Sequence, residues 1–186
     1  MANKVALRKE LNLQSTACHE LSHALACIHL RLPFIDVRIG RIRHRKLKGK
    51  EAAGYVQRPR YAHVKDEANF WRREIVMALA GGAGTWALFF GRDGVEQDEK
   101  QVRNIVTHHL RVPKDRVDSF LKPFRKRATK FAQLPYIQST MEELIPALVE
   151  KGKLTAREIR ASHQKHKAFE MRSRHFLKSA MTKVAV

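Results

Sequence analysis

The run Ile75–Phe90 constrains this fold more than any other stretch of the chain. It carries no charged residue, yet it is shorter than the roughly 20 apolar residues that cross a bilayer. It also holds Gly81, Gly82 and Gly84. Each glycine costs an exposed helix about 1 kcal/mol relative to alanine. A segment apolar all round and rich in small residues is therefore expected as a buried helix, in which the glycines admit a close neighbour. Upstream, from about Asp66, the pattern is amphipathic and joins this run. One helix is expected over 66–90.

The remaining segments are mostly helical. Ser15 is placed to cap a helix ending near Leu30, where Arg31-Leu32-Pro33 stops it. Ala17, Leu21, Ala24, Leu25 and Ile28 form its apolar stripe. Alternation over Phe34–Ile42, with Ile35, Val37 and Ile39 on one face, reads as a strand. A charged loop (His44–Glu51) leads to a second short strand near Ala53–Gln57. After the turn Gly91–Gly94, helices are expected over about Val95–Leu110, Lys114–Gln133 and Ile137–Lys151, with a kink at Pro146. Thr155-x-x-Glu158 is a capping box opening a basic last helix, Ala156 to about Lys178. With 186 residues, 44% of them hydrophobic, the chain can bury one core. The expectation is a mainly α fold, a helical domain over residues 1–152 with a small β element, and a basic C-terminal helix and tail over 153–186.

Cys18 and Cys27 fall on one helix, more than a dozen ångströms apart at about 1.5 Å per residue. That is too far for a disulfide. No signal peptide or membrane span is read from the sequence, so a cytoplasmic location is expected.

His19-Glu20-Leu21-Ser22-His23 fits H-E-x-x-H. Histidines at i and i+4 share one helix face and can reach one ion, and Glu20, about 100° round the helix, can touch a water on that ion. The same face carries Ala26 and Leu30, opposite the Leu21 stripe. Apolar residues on both faces imply burial of both, and two buried imidazoles need partners. Zn²⁺ requires a third protein ligand and keeps its fourth position open. His29 lies where an extended motif puts a third histidine, but Ala26 replaces the glycine that would turn the chain out of the helix. Asp98 shares an apolar face with Val102 and Ile105, a costly position for a carboxylate without a partner. Asp93, at the turn, suits the helix macrodipole better than a ligand role.

At these residues the chain resembles the zinc-peptidase domain of the FtsH-type AAA proteases. The likeness runs in order through Thr16-Ala17-Cys18-His19-Glu20-Leu21-Ser22-His23-Ala24, Gly54-Tyr55-Val56, Leu79-Ala80-Gly81-Gly82 to Phe89-Phe90-Gly91, Gly94-Val95-Glu96-Gln97-Asp98, and Ala147–Lys151 to Ile159. It implies Asp98 as the third zinc ligand beside His19 and His23, Glu20 as general base on a zinc-bound water, and Gly54, Tyr55 and Val56 as a strand holding peptide substrate. The implied fold is a helical zincin-like peptidase domain with a small β element, and the implied activity is zinc metalloendopeptidase. The helix core Ala83-Gly84-Thr85-Trp86-Ala87 departs from the family by lacking its arginine and paired acids, and Ser22 replaces a glycine. No P-loop is found. The resemblance implies hexamers fed by an ATPase ring, so a separate ATPase partner or a homo-oligomer is expected, with flexible or unfolded polypeptide as substrate.

The formal charge of +19 points to an anionic partner without choosing among nucleic acid, membrane surface and acidic protein. Acidic peptides would be favoured substrates on that ground. Two rival roles follow: a zinc-containing scaffold or regulator without catalysis, and a nucleic-acid-binding module on the basic helices. Phe120, Phe124, Phe131, Phe169 and Phe176 are expected as core rather than stacking platforms. His108 and His109 suit a helix C-terminus, while His163 and His166 are expected to be solvated.

Overall fold

The computed structural model describes residues 2–43, 51–59, 67–89 and 95–184. Residues 44–50, 60–66 and 90–94, among them His44 and Asp93, lie outside the described residues, as does the side chain of Phe176. Six α-helices and three strands follow in the order α1 (Ala2–His29), β1 (Asp36–Arg43), β2 (Glu51–Gln57), α2 (Glu67–Phe89), α3 (Val95–Asn104), α4 (Val117–Ala132), α5 (Pro135–Lys151), β3 (Lys153–Thr155) and α6 (Ala156–Val184). The fold is mainly α. No helix among the described residues is long and apolar enough to cross a membrane.

Helix α2 is the centre, as its composition requires. One side of it joins α1, α5 and the sheet in a core containing Leu21, Leu25, Val37, Val76, Ala80, Met141, Leu148 and Ile159. The other side presents Ile75, Ala78 and Leu79 to Val102, Ile105, Val106, Leu121 and Ala128 of the α3–α4 unit. Fully buried side chains such as Leu21, Leu25 and Ile75 each stabilise the fold by about 1.5–3 kcal/mol. The glycines do what an apolar helix needs of them. A Cβ on Gly84 would collide with Ser22 of α1, so α1 and α2 touch closely along this line.

The sheet has the order β2-β1-β3 and is antiparallel throughout. Val37 pairs with Val56 and with Leu154, which pins the start of α6 to the sheet. Strand β3 is too short to read from sequence. Gly152, at φ 68°, closes α5 with its N–H on the Leu148 carbonyl at 2.8 Å, and its own carbonyl accepts the Ile39 N–H at 3.0 Å. Thr155 and Glu158 form the expected capping box: the Thr155 N–H donates to Glu158 Oε2 at 2.8 Å, and the Glu158 N–H to Thr155 Oγ1 at 3.3 Å.

Several expectations are corrected. Helix α1 begins at Ala2, and Ser15 is buried inside it rather than capping it. The segment before Ser15 is rich in Ala, Leu, Lys, Arg and Glu, all good helix formers. Ile35 precedes β1 and is exposed, because the buried alternation starts at Val37. α3 is followed by a π turn, Ile105–His109, and α4 is preceded by a 3₁₀ turn, Lys114–Arg116. His163 is buried, its ring stacked on Tyr136 at 5.3 Å, because α6 packs on α5 there. Phe169 is exposed rather than core.

Candidate metal centre

His19 and His23 stand one turn apart on α1 and face α2. Gly81 of α2 lies directly against them: a Cβ there would stand 2.5 Å from His23 Cε1 and 2.7 Å from His19 Cε1. Both rings therefore occupy space that any other residue at 81 would fill. His23 Nδ1 donates to the Met77 carbonyl at 2.9 Å. This fixes the tautomer and leaves Nε2 as the free ligand atom. Neither the glycine nor the carbonyl was identified from sequence as part of the site. A buried helix with three glycines was the available signal, but not which of them meets the histidines.

Asp98 comes from the first turn of α3. Its Oδ2 lies 3.1 Å from His19 Nε2 and 3.3 Å from His23 Nε2, while the two Nε2 atoms are 3.1 Å apart. A tetrahedral zinc site with ligand bonds of about 2.0–2.2 Å places its ligand atoms about 3.3–3.6 Å from one another. The triangle thus fits one ion after only a slight expansion. Asp98 Oδ2 is buried and has no hydrogen bond of acceptable geometry, as expected of atoms that converge on a common point rather than on each other. Among the described residues this is the one His/Cys/Asp/Glu group gathered tightly enough to hold a metal. His29 is not in it. That ring lies against Phe131 at 5.3 Å, on another side of α1.

The electrostatics ask for a cation. Burial works against a charged His23, but contact with Asp98, aided by Glu20 and the Met77 carbonyl, pushes its pKa up to about 9. Burial likewise works against a charged Asp98, yet His19 and His23 hold it down to about 2. A proton on the imidazoles is one way to meet that demand, and a metal ion is another.

Glu20 is half-buried beside the pair. Burial raises its pKa, opposed by His23 and His19 and reinforced by Asp98. Gly54 of the edge strand β2 sits against it: a Cβ at Gly54 would stand 2.7 Å from Glu20 Cγ. Gly54 and its neighbours Tyr55 and Val56, paired with Ile39, Arg38 and Val37, thus border the site.

The support around the three converging residues is specific. Ser22 donates to the Cys18 carbonyl at 2.7 Å and touches Met141 Sδ at 3.2 Å. The two free cysteines are packing residues, their thiols pushed up to about 12 by burial. α3 is held to α4 by Arg125, which donates through Nε and Nη2 to the Glu99 carboxylate at 3.0 and 2.9 Å. Val102, Ile105 and Val106 anchor the same segment in the second core. Arg58, just after β2, is joined to the buried Glu74 of α2 at 2.5 Å.

No known family model matches the chain, and no curated protein matches it.

Proposed function

We propose that this chain is a zinc metallopeptidase that hydrolyses peptide bonds in flexible or unfolded polypeptides. The observation that carries this reading is the convergence of His19, His23 and Asp98 with the Glu20 carboxylate beside them. The ordered likeness to FtsH-type peptidase domains supports it further.

In this reading, His19 and His23 bind the ion through Nε2, and Asp98 supplies the third ligand and a neutralising charge. Bound zinc contributes Lewis acidity, which acidifies water and polarises a carbonyl. Glu20 removes the proton from the attacking water and delivers it to the leaving amine. Burial raises its pKa, which strengthens it as a base. The backbone of β2 pairs with an extended peptide, and Gly54, lacking a side chain, lets that strand lie directly against Glu20. Substrate delivery falls to a separate ATPase or to assembly with further copies.

The test is zinc content and hydrolysis measured side by side. The wild-type protein should carry about one zinc per chain and cleave a labelled, unstructured polypeptide. Asp98→Ala should lose most of the metal. Glu20→Gln should keep the metal and lose at least 100-fold in cleavage rate, within the range that general acid–base groups contribute. No metal uptake after zinc is supplied would refute the reading. Cleavage unchanged in Glu20→Gln would refute the role of Glu20, and metal without any cleavage would leave a scaffold.

A further inference from the structure

The chemistry above makes no use of the +19 charge. On α6 that charge is organised. At 100° per residue, Arg160, Lys167 and Arg174 fall on one line of the helix, while Lys165 and Arg172 fall on another, with Arg157 between. All six are exposed, and the side opposite Arg157 is buried through Ile159, Ser162 and His163. Cations therefore border both sides of the exposed half of the helix.

The acids on α6 offset only one of them, Arg174. Glu158 is held in the Thr155 cap. Glu170 accepts the Tyr136 N–H at 3.2 Å and pairs with Arg174. Lys165 pairs with Glu143 at 2.8 Å but stays 68% exposed. Among the described residues, Arg157 and Arg172 have no acidic partner. Glu170 marks the level at which α5 begins, and α6 runs on from there to Val184, about 21 Å further.

We infer that α6 is a duplex-DNA-binding helix whose two cationic flanks meet phosphates on the two walls of the major groove. A helix about 10–12 Å across matches a groove about 12 Å wide. The deep, narrow major groove of duplex RNA does not admit one. A helix lying on an anionic membrane needs one continuous apolar face opposite its charges. Among the described side chains of α6 the exposed large apolar residues, Phe169 and Met171, lie on different sides of the helix among the cations. Phosphate contacts carry no sequence information, so binding is expected to be sequence-independent. This inference does not rest on the peptidase reading.

The experiment is fluorescence anisotropy of a labelled 20-base-pair DNA duplex titrated with the full chain over a range of salt. Affinity should fall linearly with salt on logarithmic axes, by about 0.9 in slope per phosphate contacted. The triple variant Arg157→Gln, Lys167→Gln, Arg172→Gln should bind at least tenfold more weakly, with a slope flatter by about 2.7. Arg160→Gln with Arg174→Gln gives a second, independent reading and should also weaken binding. The exposed α4 variant Lys122→Gln, Lys126→Gln, Lys130→Gln removes as much charge as the first and should change affinity less than threefold. Equal losses in the two triple variants would reduce the effect to net charge and overturn the inference. So would equal affinity for duplex RNA, polyglutamate or phosphatidylserine vesicles, or no DNA binding at all.

Discussion

Replacing Gly81 by alanine tests whether the metal centre depends on the closeness of α1 and α2. The added Cβ would stand 2.5 Å from His23 Cε1 and 2.7 Å from His19 Cε1, where carbon atoms normally keep about 3.5–4.0 Å. One or both rings must withdraw by about 1 Å. Metal sites tolerate deviations of only about 0.2 Å in ligand distance, so the three-ligand triangle cannot survive unchanged. Loss of outer support typically costs 10–100-fold in metal affinity. Here the ligands themselves move, and zinc binding should weaken by about 100-fold or more. Stability of the metal-free fold should change far less. Overpacking costs about 1–3 kcal/mol, and alanine recovers about 1 kcal/mol of helix preference over glycine. Zinc affinity is read by competition with a chromophoric chelator, and stability by urea unfolding of the metal-free protein. Gly82→Ala is the control, since its Cβ would meet Val95 Cγ2 at 2.7 Å and neither histidine. A Gly81→Ala protein with zinc affinity within threefold of wild type would refute the argument.

Two further outcomes follow from the same geometry. His163 is held down to about 4 by burial, with Lys167, His29 and His166 adding to the effect. Its contribution to stability is complete above pH 6.5, where both folded and unfolded forms are neutral, and is lost as pH falls from 6.5 towards 4, because the unfolded chain takes the proton first. At 1.36 kcal/mol per unit the loss is at most about 3 kcal/mol. His163→Phe should remove that part of the acid sensitivity in chemical unfolding measured across this range, and an unchanged pH profile would sink the assignment. Arg125→Met should free α3 from α4 and weaken zinc binding about fivefold, the equivalent of about 1 kcal/mol for a half-exposed bidentate pair. The swap Arg125→Glu with Glu99→Arg should recover most of it. Zinc affinity unaffected by Arg125→Met would show that the apolar anchor of Val102, Ile105 and Val106 suffices.

Much of this was legible in the residues alone, for local reasons. Periodicity and caps concern neighbours in sequence, so α2, β2, α5 and the Thr155–Glu158 box were readable. The spacing of His19 and His23 guarantees a shared helix face wherever the helix goes. An apolar run holding three glycines implies a buried helix with a close neighbour, and α2 is that helix. Which atoms meet across it was not legible, because packing joins residues far apart in the chain. Only the tertiary structure brings Asp98 within 3.3 Å of both imidazoles and puts Gly81 rather than Gly82 or Gly84 against them. It also gives the Met77 carbonyl to His23 and removes His29 to the Phe131 side of α1. Likewise, a basic last helix was apparent from composition, but the line between its buried and exposed faces, with His163 inside and Phe169 outside, was drawn by packing against α5.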